Sequence, residues 1–179
     1  MKLIILDRDG VINEDSDSYI KSPDEWVPIE NSLQAIAKLS RAGYRVFVAT
    51  NQSGLARGLF DIETLNAIHQ KMTDAVQGVG GSIEAILFCP HGPDDNCNCR
   101  KPKPGLYEEI RHRTQHKLQD VPIVGDSIRD IEAAIKVKAS PILVRTGKGE
   151  ISLQQLKTRQ LQIPVFKDLY SVAEYLINK

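Results

Sequence analysis

Two aspartates two positions apart, Asp7 and Asp9, follow an aliphatic run and precede Gly10. Neighbouring carboxylates of this kind can share a divalent cation, or divide the roles of nucleophile and general acid. Alone, Asp-Arg-Asp-Gly is equally a turn sequence, but three further features bear on it. Asp126 and Asp130 form a second acidic pair, four residues apart at a helix start, where an Asp also complements the helix dipole. Thr50 offers a hydroxyl after another aliphatic run. Lys101, within Arg-Lys-Pro-Lys-Pro-Gly, offers a positive charge fixed by prolines. Acids, a cation, a hydroxyl and a lysine are the parts of a phosphoryl-transfer site.

A second cluster lies at residues 89–99. Cys89, His91, Cys97 and Cys99 place four soft or borderline ligands within eleven positions. A Cys3His set closes a tetrahedral zinc site with no open position, which points to structure and not catalysis. Buried thiols beside a surface histidine, or a redox pair, are the alternatives. The intervening Pro90, Gly92, Pro93, Asp94 and Asp95 give thiols almost nothing apolar to bury against. Three cysteines packed this closely also suit a reducing compartment better than a disulfide framework. Arg100 and Lys101 follow at once, so a metal-folded loop would fix their approach to a phosphate.

These residues need elements to hold them. Short aliphatic runs at 3–6, 45–49, 83–88, 121–124, 141–144 and 165–166 alternate with stretches of helical period, the pattern of a parallel sheet covered on both faces. Asn31 is expected to cap a helix carrying Leu33, Ile36, Ala37 and Leu39, with Gly43 as its stop. Asp61 opens the next, which carries Leu65, Ile68, Met72 and Val76 and ends at Gly78, Gly80 and Gly81. Further helices are expected over 105–117, 127–138, 150–160 and 168–177. In such a sheet the residues just past the carboxyl ends of the strands face one crevice. Those positions are Asp7, Arg8 and Asp9; Thr50, Asn51, Gln52 and Ser53; Cys89 and His91; and Gly125, Asp126 and Ser127. Packing does not explain four consecutive strand ends of this kind.

Length and charge set the outer limits. A chain of 179 residues is enough for one domain, taken as 1–179. Lys plus Arg and Asp plus Glu both number 23, so no general cationic surface is available for nucleic acid or an anionic membrane. The longest aliphatic runs are far below the roughly 20 residues that span a bilayer. The amino-terminal run is too short for a signal peptide, so a monomeric cytoplasmic protein is the expectation.

In order, Leu-Asp-Arg-Asp-Gly-Val (6–11), Ala-Thr-Asn-Gln-Ser-Gly (49–54), Arg-Lys-Pro-Lys-Pro-Gly (100–105) and Val-Gly-Asp-Ser-Ile-Arg-Asp (124–130) resemble the four motifs of the haloacid dehalogenase superfamily. The resemblance covers most of the chain and implies a Rossmann-like, doubly wound parallel sheet. It implies Asp7 as the nucleophile that forms an aspartyl phosphate and Asp9 as the acid/base. It gives magnesium to the Asp7 carboxylate, the Asp9 main-chain carbonyl and Asp126. Thr50 and Lys101 would grip the transferring phosphoryl group, and Asp130 would orient Lys101 or a water on magnesium. An acid at position 9 favours hydrolysis of a phosphomonoester over transfer between sugars. Forty residues separate Asp9 from Thr50 and fifty separate Thr50 from Lys101, and each interval is filled by a helix, a strand and loops, so no cap domain is expected.

Cys-Pro-His followed by Cys-x-Cys-Arg-Lys-Pro narrows the resemblance to two phosphatase groups, one acting on a heptose 1,7-bisphosphate and one on histidinol phosphate. Residues 50–58, with Ser53 and the Ala-Arg-Gly ending, look like the heptose group, as does Asn13. That group implies a small phosphorylated sugar as substrate and a place in activated-heptose and lipopolysaccharide precursor synthesis. Its substrate contacts would be Asp15 (or Asp17), Tyr19, Asn51, Gln52, Ser53 and Arg100, the last suited to a distal phosphate by its planar pair of donors. Ser127 stands where some members carry Lys. A zinc-stabilised binding module with a vestigial site is the reading from another class, and the intact set Asp7, Asp9, Thr50, Lys101 and Asp126 argues against it.

Other signals are set aside. His112 and His116 have metal-pair spacing but sit among Arg111, Arg113 and Lys117 on a solvated basic face. His69 is read as a surface residue. Gly78-Val-Gly-Gly and Thr146-Gly-Lys-Gly lack the context of nucleotide-binding loops. Trp26 is read as a loop anchor in preference to a ligand wall.

Overall fold

The computed structural model describes residues 2–179. Six strands run parallel: β1 (Lys2–Leu6), β2 (Tyr44–Asn51), β3 (Ala85–Cys89), β4 (Pro122–Gly125), β5 (Ser140–Val144) and β6 (Val165–Phe166). The helices between and after them are α1 (Ser32–Arg41), α2 (Ile62–Gly78), α3 (Gly105–Thr114), α4 (Ile128–Lys136), α5 (Gly149–Thr158) and α6 (Leu169–Ile177). The sheet order is β3-β2-β1-β4-β5-β6, so the direction of winding reverses beside β1. That reversal opens a crevice at the carboxyl ends of β1 and β4.

The alternation of strand side chains divides the core. Ile4 and Leu6 of β1 pack with Val46, Val48 and residues of α1, α2 and α6, including Ile36, Leu39, Ile68, Met72 and Val172. Leu3 and Ile5 point the other way, toward Phe47, Ala49, Leu106, Ile110, Ala133 and Ala134. Burial on both faces explains why β1 reads as a continuous aliphatic run, each such side chain contributing about 1.5–3 kcal/mol. Trp26 is buried in the first of these cores and anchors the 10–31 segment, with Ser32 Oγ donating to Ile12 O at 2.6 Å. That segment adds only a short 3-10 turn, Pro23–Glu25, before α1.

Several boundaries differ from expectation for local reasons. Asn31 precedes α1 but adopts a left-handed conformation (φ 63°) with no side-chain cap, a backbone state that Asn tolerates better than most residues. Asp61 does cap α2, accepting from Thr64 N at 2.8 Å. β3 begins at Ala85, leaving Ile83 outside the strand. α3 ends at Thr114 because Gln115 turns left-handed, so His116 lies beyond the helix and does not pair with His112 on one face. α4 and α5 stop at Lys136 and Thr158, two residues earlier than read. Among the described residues no helix is long and apolar enough to cross a membrane.

Candidate active site

The crevice has a volume of about 380 Å³, and its walls include Asp7, Asp9, Thr50, Lys101, Asp126 and Asp130. The ends of β1, β2 and β4 therefore meet as expected. The end of β3 does not: Cys89 and His91 stand beside the crevice, and only Pro93, Arg100 and Lys101 of the following loop reach it.

Lys101 is the centre of the polar network, 2% exposed. Its Nζ lies 2.9 Å from Asp7 Oδ1 and 2.6 Å from Asp130 Oδ1, and donates to Ala49 O at 2.8 Å. Burial alone would strip its proton, but Asp130 and then Asp7 outweigh burial and hold it. Asp130 is oriented in turn by Ser127, whose N and Oγ donate to Oδ2 at 3.1 and 2.7 Å. This gives Ser127 a definite role as the cap of α4 and the anchor of Asp130. Asn51 spends both ends of its amide on the main chain of Lys101, at 3.0 and 3.1 Å, so it fixes the lysine more than it faces solvent.

Asp7, Asp126 and Asp130 bring carboxylate oxygens within 4.8 Å of one another, against the single charge of Lys101. Burial first, then the neighbouring acids, pushes Asp7 up to about 7 and Asp126 up to about 8. Such a group resists full ionisation unless a further cation joins it. Asp126 Oδ2 accepts from Lys148 N at 2.8 Å, and a Cβ at Gly10 or Gly147 would fall 2.1 or 2.3 Å from that oxygen. Two glycines thus make the room in which Asp126 sits, both with positive φ. The donor set is one of hard oxygens, suited to magnesium.

Asp9 lines the same crevice but is not part of this acidic group. Its Oδ1 accepts from Arg8 Nε (3.0 Å), Arg8 Nη2 (2.9 Å) and Asn13 Nδ2 (2.9 Å), and its Oδ2 from Arg8 Nη2 and Gln52 Nε2, both at 3.0 Å. Burial pushes it up, but Arg8, Asn13 and Gln52 prevail and hold it below the usual carboxylate range. Gln52 Nε2 also lies 2.9 Å from Thr50 Oγ1, which joins Thr50 to the same network.

Of the expected substrate contacts, Asp15, Tyr19, Asn51, Gln52, Ser53 and Arg100 all line the crevice. Asp17 does too, but its side chain is 96% exposed, while that of Asp15 is 21% exposed. Arg100 donates to His91 O at 3.3 Å, tying its guanidinium to the cysteine loop. Sequence reasoning missed Arg57, Arg129 and Lys148, which also line the crevice. Lys148 Nζ lies 3.4 Å from Asp15 and 3.6 Å from Asp17. It comes from the Thr146-Gly-Lys-Gly segment, and extending the strand-end argument to β5 would have found it.

Cys89, His91, Cys97 and Cys99 also converge, with ligand atoms within 4.8 Å. Cys89 Sγ is 3.7 Å from Cys97 Sγ and 3.1 Å from Cys99 Sγ, and His91 Nδ1 is 3.3 Å from Cys99 Sγ. A zinc tetrahedron with bonds of about 2.3 Å has edges of about 3.8 Å, so the cluster is close to the required size. Burial and the adjacent thiols push Cys89 up to about 12, a group that only a cation would keep as thiolate.

Residues 98–172 match the HAD-hydrolase-like family. Over the whole chain, a D-glycero-beta-D-manno-heptose-1,7-bisphosphate 7-phosphatase of Bordetella bronchiseptica is 55% identical, covering 100% of this chain and 99% of that protein. The protein of the same name from Pseudomonas aeruginosa is 50% identical, with 98% of each covered. The crystal structure of the D,D-heptose 1,7-bisphosphate phosphatase from B. bronchiseptica, complexed with magnesium and phosphate, superposes with a TM-score of 0.96 at 56% identity, covering 99% of both chains.

Proposed function

The chain belongs to the D-glycero-beta-D-manno-heptose-1,7-bisphosphate 7-phosphatases of the haloacid dehalogenase superfamily, and we propose that it removes the C7 phosphate of that sugar bisphosphate through an aspartyl phosphate on Asp7. The observation that carries the mechanism is the contrast between the two aspartates. Asp7 lies beside Lys101 and the acidic group that would take a cation, whereas Asp9 lies in a separate cage of donors. Magnesium would be held by the Asp7 carboxylate, the Asp9 main-chain carbonyl and Asp126, and when bound it neutralises charge on the phosphoryl oxygens.

Lys101 and Thr50 bind the phosphoryl oxygens and orient phosphorus toward Asp7. Asp7 Oδ1 already accepts from Arg8 N at 2.8 Å and faces Lys101, so Oδ2 is the proposed attacking atom. Attack forms the Asp7–phosphorus bond and breaks the bond from phosphorus to the C7 oxygen, which takes a proton from Asp9. The negative charge of a bound phosphate dianion raises Asp9 toward the protonated form that this step needs. Water then attacks phosphorus, gives its proton to Asp9 and releases phosphate, restoring Asp7. Asp130 holds Lys101 in place throughout.

Asp15, Tyr19, Gln52 and Ser53 are the proposed sugar contacts, with Asn51 fixing Lys101 and Arg100 taking the distal phosphate. The cysteine cluster is proposed to hold a structural zinc that sets the position of Arg100. Activity against heptose 1,7-bisphosphate, fructose bisphosphate and histidinol phosphate, with and without magnesium, tests the assignment. The heptose substrate is expected to give the highest kcat/KM and to require magnesium; a histidinol phosphate preference would overturn it. Asp7→Asn is expected to lower kcat by about 10⁴-fold or more, and full activity would refute the nucleophile.

A further inference from the structure

Arg8 is fully buried, at 0% exposure, yet it touches neither the acidic group nor Lys101 through its side chain. Two of its nitrogens, Nε and Nη2, hold Asp9. The third, Nη1, lies 3.1 Å from Nε2 of His69. A guanidinium keeps its protons, so Nε2 is the acceptor and the ring carries its own proton on Nδ1. His69 is 8% exposed, not a surface residue, and projects inward from α2 beside Ile68. Its ring is tilted 55° against Phe88 at 6.0 Å, and burial, followed by the charge of Arg8, pushes it down to about 3, so it stays neutral. A neutral acceptor is the partner this position requires, because a charged ring would repel Arg8.

The guanidinium is a rigid planar fork, so holding one nitrogen sets the plane of the other two. We propose that His69 is a positioning residue for proton transfer at Asp9: by accepting from Nη1 it fixes the plane in which Arg8 presents the Asp9 carboxyl to the leaving oxygen. This rests on the acid/base role of Asp9 given above. The length of the chain from His69 through Arg8 to Asp9 is set by direct contacts at 3.1 and 2.9–3.0 Å, with no freedom for an intervening group.

Leaving-group dependence separates positioning from mere support of the fold. Breaking the bond from phosphorus to a sugar oxygen needs the proton of Asp9, since an alkoxide is a poor leaving group. A p-nitrophenolate leaves without one. The ratio of kcat/KM for heptose 1,7-bisphosphate to that for p-nitrophenyl phosphate therefore reports on proton delivery, and a uniform loss of folded or active protein cancels from it. His69→Leu, which removes the acceptor, and His69→Asn, whose shorter amide falls short of Arg8, are each expected to lower the ratio about tenfold, a part of the 10²–10⁴ available from general acid catalysis. His69→Gln, which can restore an acceptor, is expected to keep the ratio within about threefold of the parent. An unchanged ratio in whichever of the Leu and Asn variants folds would overturn the inference, as would a Gln variant as impaired as they are. Asp9→Asn is measured alongside: if it leaves the ratio unchanged, the acid role of Asp9 itself fails, whereas a low ratio there with normal ratios at position 69 refutes His69 alone.

Discussion

Asp126→Asn is expected to make the magnesium-free protein more stable and the magnesium-loaded protein less stable than the parent. Asp126 is pushed from 3.8 in the unfolded chain to about 8 in the folded one. A folded carboxyl that keeps its proton when the unfolded chain has lost it costs stability as pH rises between those two values. The cost is absent below about pH 4 and grows by about 1.4 kcal/mol per pH unit until about pH 8. At pH 7 it amounts to about 4 kcal/mol. The amide escapes that cost, and its oxygen can still accept from Lys148 N, but burying its NH₂ returns about 2 kcal/mol. The net gain of about 2 kcal/mol corresponds to a melting point higher by roughly 4–8 °C for a chain of this size.

The assay is thermal unfolding followed by circular dichroism, in magnesium-free buffer and in saturating magnesium, at about pH 4.5 and pH 7. The advantage of the Asn variant should vanish at the lower pH. With magnesium at about 100 times its Kd, the parent gains about 2.7 kcal/mol while the variant gains little, and the order inverts. A magnesium-free variant that melts below the parent at pH 7, or an advantage that does not change with pH, would refute the argument from carboxylate crowding.

Three further outcomes are expected. Protein purified without chelator should contain stoichiometric zinc, and Cys99→Ser should lose it and melt lower, with added magnesium giving no rescue; metal analysis that finds no zinc in the parent would overturn the assignment. Arg100→Ala should raise KM for the bisphosphate by about 10- to 100-fold, the loss of a charge-assisted contact of about 1.5–3 kcal/mol, with a much smaller effect on a heptose monophosphate; equal effects on both would refute the distal-phosphate role. Gly147→Ala, at φ 56° and with its Cβ 2.3 Å from Asp126 Oδ2, should weaken magnesium binding by at least about tenfold (~1.4 kcal/mol) in calorimetric titration, and unchanged affinity would contradict the packing.

What could be read before folding was what local chemistry imposes. Aliphatic runs marked the strands because those of β1, β2, β4 and β5 are largely buried, while the edge strand β6 is only half-buried, and polar groups at the strand ends gave the crevice because the topology leaves those ends exposed to one another. Asp61 was recognisable as a cap, since its side chain bonds three residues ahead. His69 was misread because the residues that bury it, Arg8 and Phe88, are distant in sequence, and position on a helix does not reveal what packs against its polar side. The left-handed Asn31 and Gln115 were equally hidden, because the same residue types serve as ordinary caps and helix ends. Lys148 escaped because its segment was weighed only as a nucleotide loop, while its main-chain N–H, which any residue but proline supplies, is what touches Asp126.

The place of β1 between β2 and β4 has a consequence for how activity is acquired during folding. β1 pairs with β2 over five registered positions but with β4 over only two, Ile5 with Ile123 and Leu6 with Val124. Asp7 therefore receives Thr50 from one flank and Asp126 from the other, and the second flank is joined through the narrower seam between segments far apart in the chain. Non-local pairings of this kind are slow to form, because the intervening loop must be ordered before the contact repays it. A chain with only β1, β2 and β3 assembled would own a nucleophile without the groups that let it react. Phosphatase turnover after refolding thus requires that seam to be closed, because only then do Thr50 and Asp126 flank the same Asp7.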